Sequence, residues 1–245
     1  MVVIHDRFRD YVVSVLGVDP GSVEVIRNWS HVQPVLDTDR SGVRRTMGWG
    51  PEETVVLHAG NMGAKQALEN VVEAARLSDE SENPVRFVML GDGNQRSEIE
   101  ARARGIKSIE FIDPLPDGEF EQVLSSADIL LVNEKPGIAE MAVPSKLTTY
   151  YSTGLPVIAA TDEGSVTAGE IQASGGGVRV DAGDPRALLD AVLSLRADPL
   201  SAGQLGQAGR DFRSTHLDRD AAIDHYAEWL ETLAATRGRR RPVAP

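Results

Sequence analysis

Hydroxyl groups and a lysine gather where a helix is predicted to begin, in the segment VPSKLTTYYSTGLPVIAA. Pro144 favours a first helical turn and Gly154 is a usual terminator, so the segment predicts a helix followed by a short apolar strand. Ser145 and Lys146 lie at the helix start, and Thr149 lies one turn on, on the face of Ser145. Free backbone N–H groups beside hydroxyls and a cation are suited to binding a phosphate or a ribose.

A second segment of this kind lies upstream, where the apolar run TVVLHAG ends at Gly60. The turn continues through Asn61 and Gly63 to Lys65, which stands at the entrance of the next predicted helix. Glycines allow the backbone to approach a ligand closely, and the lysine supplies a point charge. A lone lysine at a helix start is more often simply solvated, so this turn by itself leaves both interpretations open.

A third glycine turn, with Gly91 and Gly93, follows the apolar run VRFVML. Three strand-to-helix turns that carry glycine are typical of the carboxyl edge of an open parallel sheet, where such sheets bind ligands. Apolar runs and helical periodicities alternate along the chain, which predicts an α/β fold with a doubly wound parallel sheet, Rossmann-like.

The chain is predicted to contain one complete domain and several smaller segments. Residues 52–235 form the predicted Rossmann-like domain, which carries the three glycine turns. Residues 1–35 hold one helix and one strand, too little to bury a core alone, and 36–51 are rich in charge and glycine, as in a linker. The basic end, 236–245, is predicted to be a disordered tail.

Composition excludes several classes of function. The 245 residues carry a net charge of −12, which argues against general affinity for nucleic acid, and no cysteine, which excludes disulfides and thiolate chemistry. The five histidines lack metal-ligand spacing, so no metal site is predicted. No apolar run reaches the roughly 18 residues of a membrane helix, and no signal-peptide pattern is present. A cytoplasmic protein is expected, peripheral at most to the inner face of the plasma membrane.

Six segments resemble, in order, the family-4 glycosyltransferases that build bacterial surface polysaccharides: HAGNMGAKQALENVVEAA, FVMLGDGNQRSEIE, FIDPLP, SADILLVNEKPG, VPSKLTTYYSTGLPVIA and GGGVRVDAGDPRALLDAV. The resemblance covers roughly residues 22–233. It implies the GT-B arrangement of two Rossmann-like domains, of which this chain holds the C-terminal, donor-binding half. The N-terminal acceptor domain is represented only by its last helix and strand.

The resemblance assigns roles to several of these residues. Lys65 matches the catalytic cation that neutralises the donor diphosphate, while Asn61 stands near a position where the family usually has an arginine. Gly91 and Gly93 match a turn close to the donor, although a plain tight turn explains them equally well. Leu115 matches a segment beside the base.

The loop NEKPG matches one near the sugar and diphosphate, where Lys135 can contact phosphate and Gly137 can offer its backbone N–H. The family's paired glutamates are both replaced. Met141 and Thr149 occupy their positions, and Glu140 can substitute for the first only in a shifted register. Thr149 can accept one hydrogen bond from a ribose but lacks the charge of a carboxylate.

The resemblance implies retaining transfer, without a metal or other cofactor, from a nucleotide-diphosphate sugar to a polysaccharide or lipid-linked acceptor. The alternative is a non-catalytic or truncated nucleotide-binding module that needs a partner chain for the acceptor domain. A third interpretation, a sugar-nucleotide epimerase, needs acids and a histidine that the motifs do not place. The isolated chain is expected to bind nucleotide weakly and transfer no sugar. The helix predicted over 219–233 is expected to expose an apolar patch.

Overall fold

The computed structural model describes residues 1–29, 38–138 and 145–238, with the side chains of 236–238 left out. Contacts divide the chain into two compact units, Met1–Ser30 with Ser214–Pro245, and His31–Arg213. Within the described residues, the strands and α-helices in chain order are β1 (Val2–Val3), α1 (Asp6–Ser14), β2 (Glu24–Val25), α2 (Arg40–Thr46), β3 (Thr54–Ala59), α3 (Glu69–Glu80), β4 (Val85–Leu90), α4 (Arg96–Arg102), β5 (Ile109–Ile112), α5 (Glu119–Ser125), β6 (Ile129–Asn133), α6 (Ser145–Thr153), β7 (Val157–Ala160), α7 (Val166–Ser174), β8 (Gly177–Val180), α8 (Pro185–Ala197), α9 (Pro199–His216) and α10 (Arg219–Gly238).

The larger unit is built on one parallel sheet of six strands in the order β5-β4-β3-β6-β7-β8. This is the strand order of a doubly wound fold, and it reverses between β3 and β6, where Val56 pairs with Ile129. Every residue of β3 and β6 is buried, as expected for parallel strands covered on both faces. The predicted Rossmann-like sheet is confirmed.

Helices α3 and α8 pack on the sheet through apolar residues at helical spacing. Val71, Val72 and Ala75 of α3 are fully buried with Leu188 and Val192 of α8, in the same cluster as the strand residues of the sheet. The spacing that predicted a helix in the sequence is therefore the spacing that supplies its buried face. No helix in the described part of the chain is long and apolar enough to cross a lipid bilayer.

The smaller unit contains a two-stranded parallel sheet, β1 and β2, connected by α1. The unit also contains α10. This helix contacts β2 through His225, whose Nε2 lies 3.0 Å from Glu24 Oε1. The sequence assigns residues up to 235 to the nucleotide-sugar domain, whereas the described residues after Arg213 group with residues 1–29.

The stretch predicted to be a linker contains a helix packed on the larger unit. Arg44 of α2 is only 9% exposed, and its guanidinium lies 2.9 Å from the Asp128 carboxylate. The same group donates to the carbonyl oxygens of Gly50, Glu53 and Ser126. The arginine guanidinium has five donors in a rigid planar arrangement and can satisfy several acceptors at once. The charge of Arg44, which in the sequence is typical of a solvated linker, therefore anchors α2 to the larger unit.

Replacing Arg44 with methionine should lower the free energy of unfolding by about 2 to 4 kcal/mol, because it leaves a carboxylate and three carbonyl groups with fewer partners. The neighbouring Arg45 is exposed, and Arg45→Met should change the free energy of unfolding by about 0.5 kcal/mol or less. Urea unfolding of both variants measures the difference. Equal effects of the two substitutions would show that α2 is not anchored through Arg44.

Candidate functional site

The glycine turns that follow β3 and β4 meet at the carboxyl edge of the sheet, where their backbones are in contact. The Gly60 amide donates to the last carbonyl of β4 at 2.8 Å. A Cβ on Gly91, whose φ is +131°, would lie 2.2 Å from the Gly60 carbonyl oxygen, and one on Gly93 would lie 2.4 Å from that of Met62. This close approach requires glycine at Gly91 and Gly93 with or without a ligand. A contact of Gly91 and Gly93 with the nucleotide sugar therefore stays a prediction.

Two exposed lysines come together where the strand order reverses. Lys65 lies in a 3-10 helix, Ala64–Gln66, between β3 and α3, and Lys135 follows β6 by two residues. The Lys135 N–H donates to the Lys65 carbonyl oxygen at 2.9 Å, so their backbones are in direct contact. Within the described residues, no carboxylate forms an ion pair with either lysine. Two exposed lysines whose backbones are in contact and that lack an ion-pair partner among the described residues favour an anionic ligand.

Lys146 enters the same region from the first turn of α6. Its Nζ donates to the Ala59 carbonyl oxygen at 2.9 Å and lies 3.2 Å from His58 Nε2. An ideal Cβ on Gly60 would lie 3.1 Å from this ammonium group, which places it against the turn that follows β3. Burial lowers the pKa of Lys146 to about 8. The charge is thus held at the β3 turn rather than in solvent.

His58 is a hydrogen-bond acceptor for that lysine. Its side chain is 1% exposed, and its Nδ1 lies 3.3 Å from the Leu131 carbonyl oxygen. A carbonyl needs a donor, so Nδ1 carries the proton and Nε2 is left to accept from Lys146. Burial, and secondarily the charge of Lys146, lowers the pKa of His58 to about 3. A neutral, buried histidine of this kind is a hydrogen-bonded core residue rather than a general base.

The NEKPG loop is fixed at both of its ends. The Glu134 carboxylate accepts hydrogen bonds from the hydroxyls of Thr161 and Thr167. The Gly137 N–H donates to Asp162 Oδ2 at 2.7 Å. The amide that the resemblance offers to the ligand therefore already has a partner, and a ligand contact at Gly137 would have to displace Asp162.

The remaining predicted residues are less closely clustered. Ser145 and Asn61 are exposed, and Thr149 is half-buried on α6. Leu115 lines a groove of about 460 Å³ between α2 and α5, three residues beyond the end of β5. The end of β5 itself lies beside Gly91, whose N–H donates to the last carbonyl of β5 at 2.9 Å.

Glu140, Met141 and Pro144 lie outside the described residues. In the part of the chain that the structure describes, no three acidic or histidine side chains are placed to hold a metal ion.

Sequence reasoning missed the polar side chains that brace these turns. The Tyr150 hydroxyl accepts from the Ala59 N–H at 2.9 Å, and burial raises the pKa of that hydroxyl. Arg96 of α4 donates to the Gly91 carbonyl oxygen at 2.9 Å. Asn133 ends β6 and donates to two carbonyl groups of the Lys65 turn. A polar residue that ends an apolar strand, as in ILLVN, is the one signal that could have indicated Asn133.

A cavity of about 470 Å³ lies at the opposite, amino-terminal edge of the sheet, beside Thr54 and Ile129. Both arginines that line it are paired within the protein: Arg40 with Asp128, and Arg196 with backbone and hydroxyl oxygens at the start of β3. Doubly wound sheets bind ligands at the carboxyl ends of their strands, at the reversal of strand order. We therefore assign the candidate site to the carboxyl edge, where the lysines are.

The buried His58 should make stability pH-dependent in a defined window. The unfolded histidine takes up a proton near pH 6.5, whereas the folded one resists protonation until about pH 3. Stability contributed by neutral His58 is therefore present above pH 6.5 and lost as the pH falls, at up to about 1.4 kcal/mol per pH unit. Urea unfolding of wild type and His58→Asn from pH 7 to 4.5 measures this contribution, since other groups cancel in the difference. A constant difference across that range would contradict it.

Sequence similarity to known proteins extends over most of the larger unit. The sequence profile of the family described as "Glycosyl transferases group 1" matches residues 53–198. The chain is 35% identical over 144 residues to WcaI of Escherichia coli (strain K12), whose name assigns it to colanic acid biosynthesis as a glycosyl transferase. That alignment covers 56% of this chain and 35% of WcaI, so the chain spans about a third of that relative.

Solved glycosyltransferases share the fold. HepE of Anabaena, crystallised with UDP and glucose, superimposes with a TM-score of 0.77 at 15% identity, over 94% of this chain and 62% of HepE. WaaG, a glycosyltransferase involved in lipopolysaccharide biosynthesis, gives 0.72 at 15% identity, over 90% of this chain and 61% of its own. At these identities the likeness shows a common fold, and the family follows from the profile that matches more than half of the sequence. The chain belongs to the group 1 glycosyl transferases, of the family-4, GT-B type that its motifs resemble.

Proposed function

We propose that this chain is the donor-binding half of a glycosyltransferase that uses a nucleotide-diphosphate sugar. The observation that carries the proposal is the placement of its lysines. The sequence contains four, Lys65, Lys107, Lys135 and Lys146, and all except Lys107 lie at the reversal point of the sheet. Family membership supports the proposal, as does the complex of HepE with UDP.

The chemistry of transfer explains why cations belong at this edge. When the sugar leaves, negative charge grows on the departing diphosphate, and preorganised positive groups stabilise it. Lys65 and Lys135 are exposed and adjacent, so they can approach the phosphates from two sides. We propose that these protein cations supply the charge that a metal ion supplies in other transferases, and that transfer is metal-independent and retaining.

The nucleoside would extend from the phosphates toward neighbouring strands. We propose that the base lies beside the segment that ends at Leu115, and that Ser145 and the half-buried Thr149 face the ribose and phosphate from α6. A hydroxyl at Thr149 offers one neutral hydrogen bond where the family usually has a carboxylate. Nucleotide binding by this chain should accordingly be weak, in the range of high micromolar to millimolar.

Removing the charge of Lys65 should weaken the binding of UDP, since the cation would no longer face the diphosphate. We expect Lys65→Ala to raise the Kd at least about tenfold, and Lys135→Ala to raise it by a smaller factor. Lys107 precedes β5 at the amino-terminal edge and is exposed, so Lys107→Ala is the matched control and should leave the Kd unchanged. Calorimetric titration of the three variants with UDP, GDP and ADP measures this. Equal Kd values for Lys65→Ala and the control would disprove the proposed site.

The smaller unit supports the view that a further domain is needed for transfer. Parallel sheets normally have both faces covered, yet beside the two-stranded sheet β1–β2 the side chains of Tyr11, Val15 and Leu16 are each more than half exposed. On α10 of the same unit, Leu230 is 56% exposed. We propose that these apolar side chains pack against the rest of an acceptor domain, supplied by another segment or chain. That domain would bring the polysaccharide or lipid-linked acceptor.

The chain by itself should therefore bind UDP and transfer no sugar, because in this proposal the acceptor side of the cleft comes from that further domain. Incubation with radiolabelled UDP-glucose and saccharide or lipid-linked acceptors, followed by chromatography, checks for product. Circular dichroism on the same sample controls for folding. Turnover by the purified chain would contradict the need for a partner domain, and it would favour a complete enzyme over the alternative of a non-catalytic nucleotide-binding module.

A further inference from the structure

The last residue of β6 is tied to the turn that carries Lys65. Asn133 is 1% exposed, and its Nδ2 donates to the carbonyl oxygens of Gln66 at 2.7 Å and Ala67 at 3.0 Å. Its Oδ1 accepts from Asn70 Nδ2 at 2.8 Å. The nitrogen of this side-chain amide is therefore engaged by the Lys65 turn, and its oxygen by the first turn of α3.

The turn that Asn133 holds is strained. Ala67 closes the 3-10 helix with φ 42° and ψ 50°, the left-handed conformation. An L-residue other than glycine adopts this conformation at a cost of about 1 to 2 kcal/mol. Ala67 is 7% exposed, and its carbonyl is one of the two that accept from Asn133. The hydrogen bonds of Asn133 offset the cost of this closure.

A second cost is present at the same place. Because Asn133 Nδ2 donates to two carbonyl groups, its Oδ1 must face Asn70, and this turns the Asn70 amide nitrogen toward it. Among the described residues, the Oδ1 of Asn70 is left buried without a hydrogen-bond partner. An unsatisfied buried acceptor costs about 1 to 3 kcal/mol. Strain of this kind concentrates at functional sites, where the geometry it fixes is used.

We propose that Asn133 is a positioning residue of the donor site. It does not touch the nucleotide. It holds the turn 64–67 in its left-handed closure, and that closure sets the backbone of Lys65 in contact with Lys135, which follows Asn133 by two residues. The inference rests on the proposed function, because it assumes that Lys65 and Lys135 bind the diphosphate.

The test separates positioning from simple stabilisation. Asn133→Ala should raise the Kd for UDP by about tenfold, because the Lys65 turn relaxes out of the left-handed region. Glycine takes up that region without a steric penalty, so Ala67→Gly should restore the Asn133→Ala variant to within about threefold of wild type. Ala67→Gly alone should leave the Kd unchanged. Titration calorimetry with UDP gives the affinities, and urea unfolding gives the stabilities.

Each outcome decides one claim. A stability loss in Asn133→Ala with an unchanged Kd would show a purely structural role and overturn the inference. A weakened Kd that Ala67→Gly does not restore would overturn the left-handed closure as its cause. If Asn133→Ala does not fold, Asn133→Ser retains one donor and should give an intermediate Kd that Ala67→Gly improves; an unchanged Kd in that variant overturns the inference. If wild type binds none of UDP, GDP and ADP, or Lys65→Ala binds the preferred nucleotide equally well, the proposed function itself fails.

Discussion

The pairing of β3 with β6 is the constraint on which the rest of the candidate site depends. Parallel strands end at the same edge of a sheet, and at this pair the strand order reverses, so the connections leave toward opposite faces. Lys65 follows one strand, Lys135 follows the other, and Lys146 reaches the end of β3 from α6. Lys65 thus lies at the same edge as Lys135 and Lys146, far along the chain, because β3 and β6 are neighbours.

Several groups at this edge are held in place at a local cost in stability. Burial works against the charge of Lys146, and His58 accepts from it only because the histidine is kept neutral. The left-handed Ala67 and the unpartnered oxygen of Asn70 add two further costs in the adjoining turn. These unfavourable contributions to the folding free energy all lie beside the three lysines. This indicates that the positions of the lysines matter for function.

Sequence patterns predicted the sheet, its glycine turns and Lys65, because alternation of strands and helices and glycine at strand ends are local signals. They did not predict α2, since Arg44 is anchored by acceptors such as Asp128, far along the chain. They proposed Lys146 as a binding residue without indicating its burial against His58. Asn133 was missed for the same reason: its partners lie in a different βα connection, and only the paired strands bring them together.

Mapping of backbone amide chemical shifts during titration with UDP tests the central claim most directly, because it locates the nucleotide on the sheet without any substitution. We expect saturable shifts at the carboxyl edge, in the turns after β3, β4 and β6 and in the first turn of α6. The amino-terminal edge, around Arg40 and Arg196, should stay unperturbed. Shifts that concentrate at that opposite edge, or none at all in the folded chain, would contradict the assignment of the site.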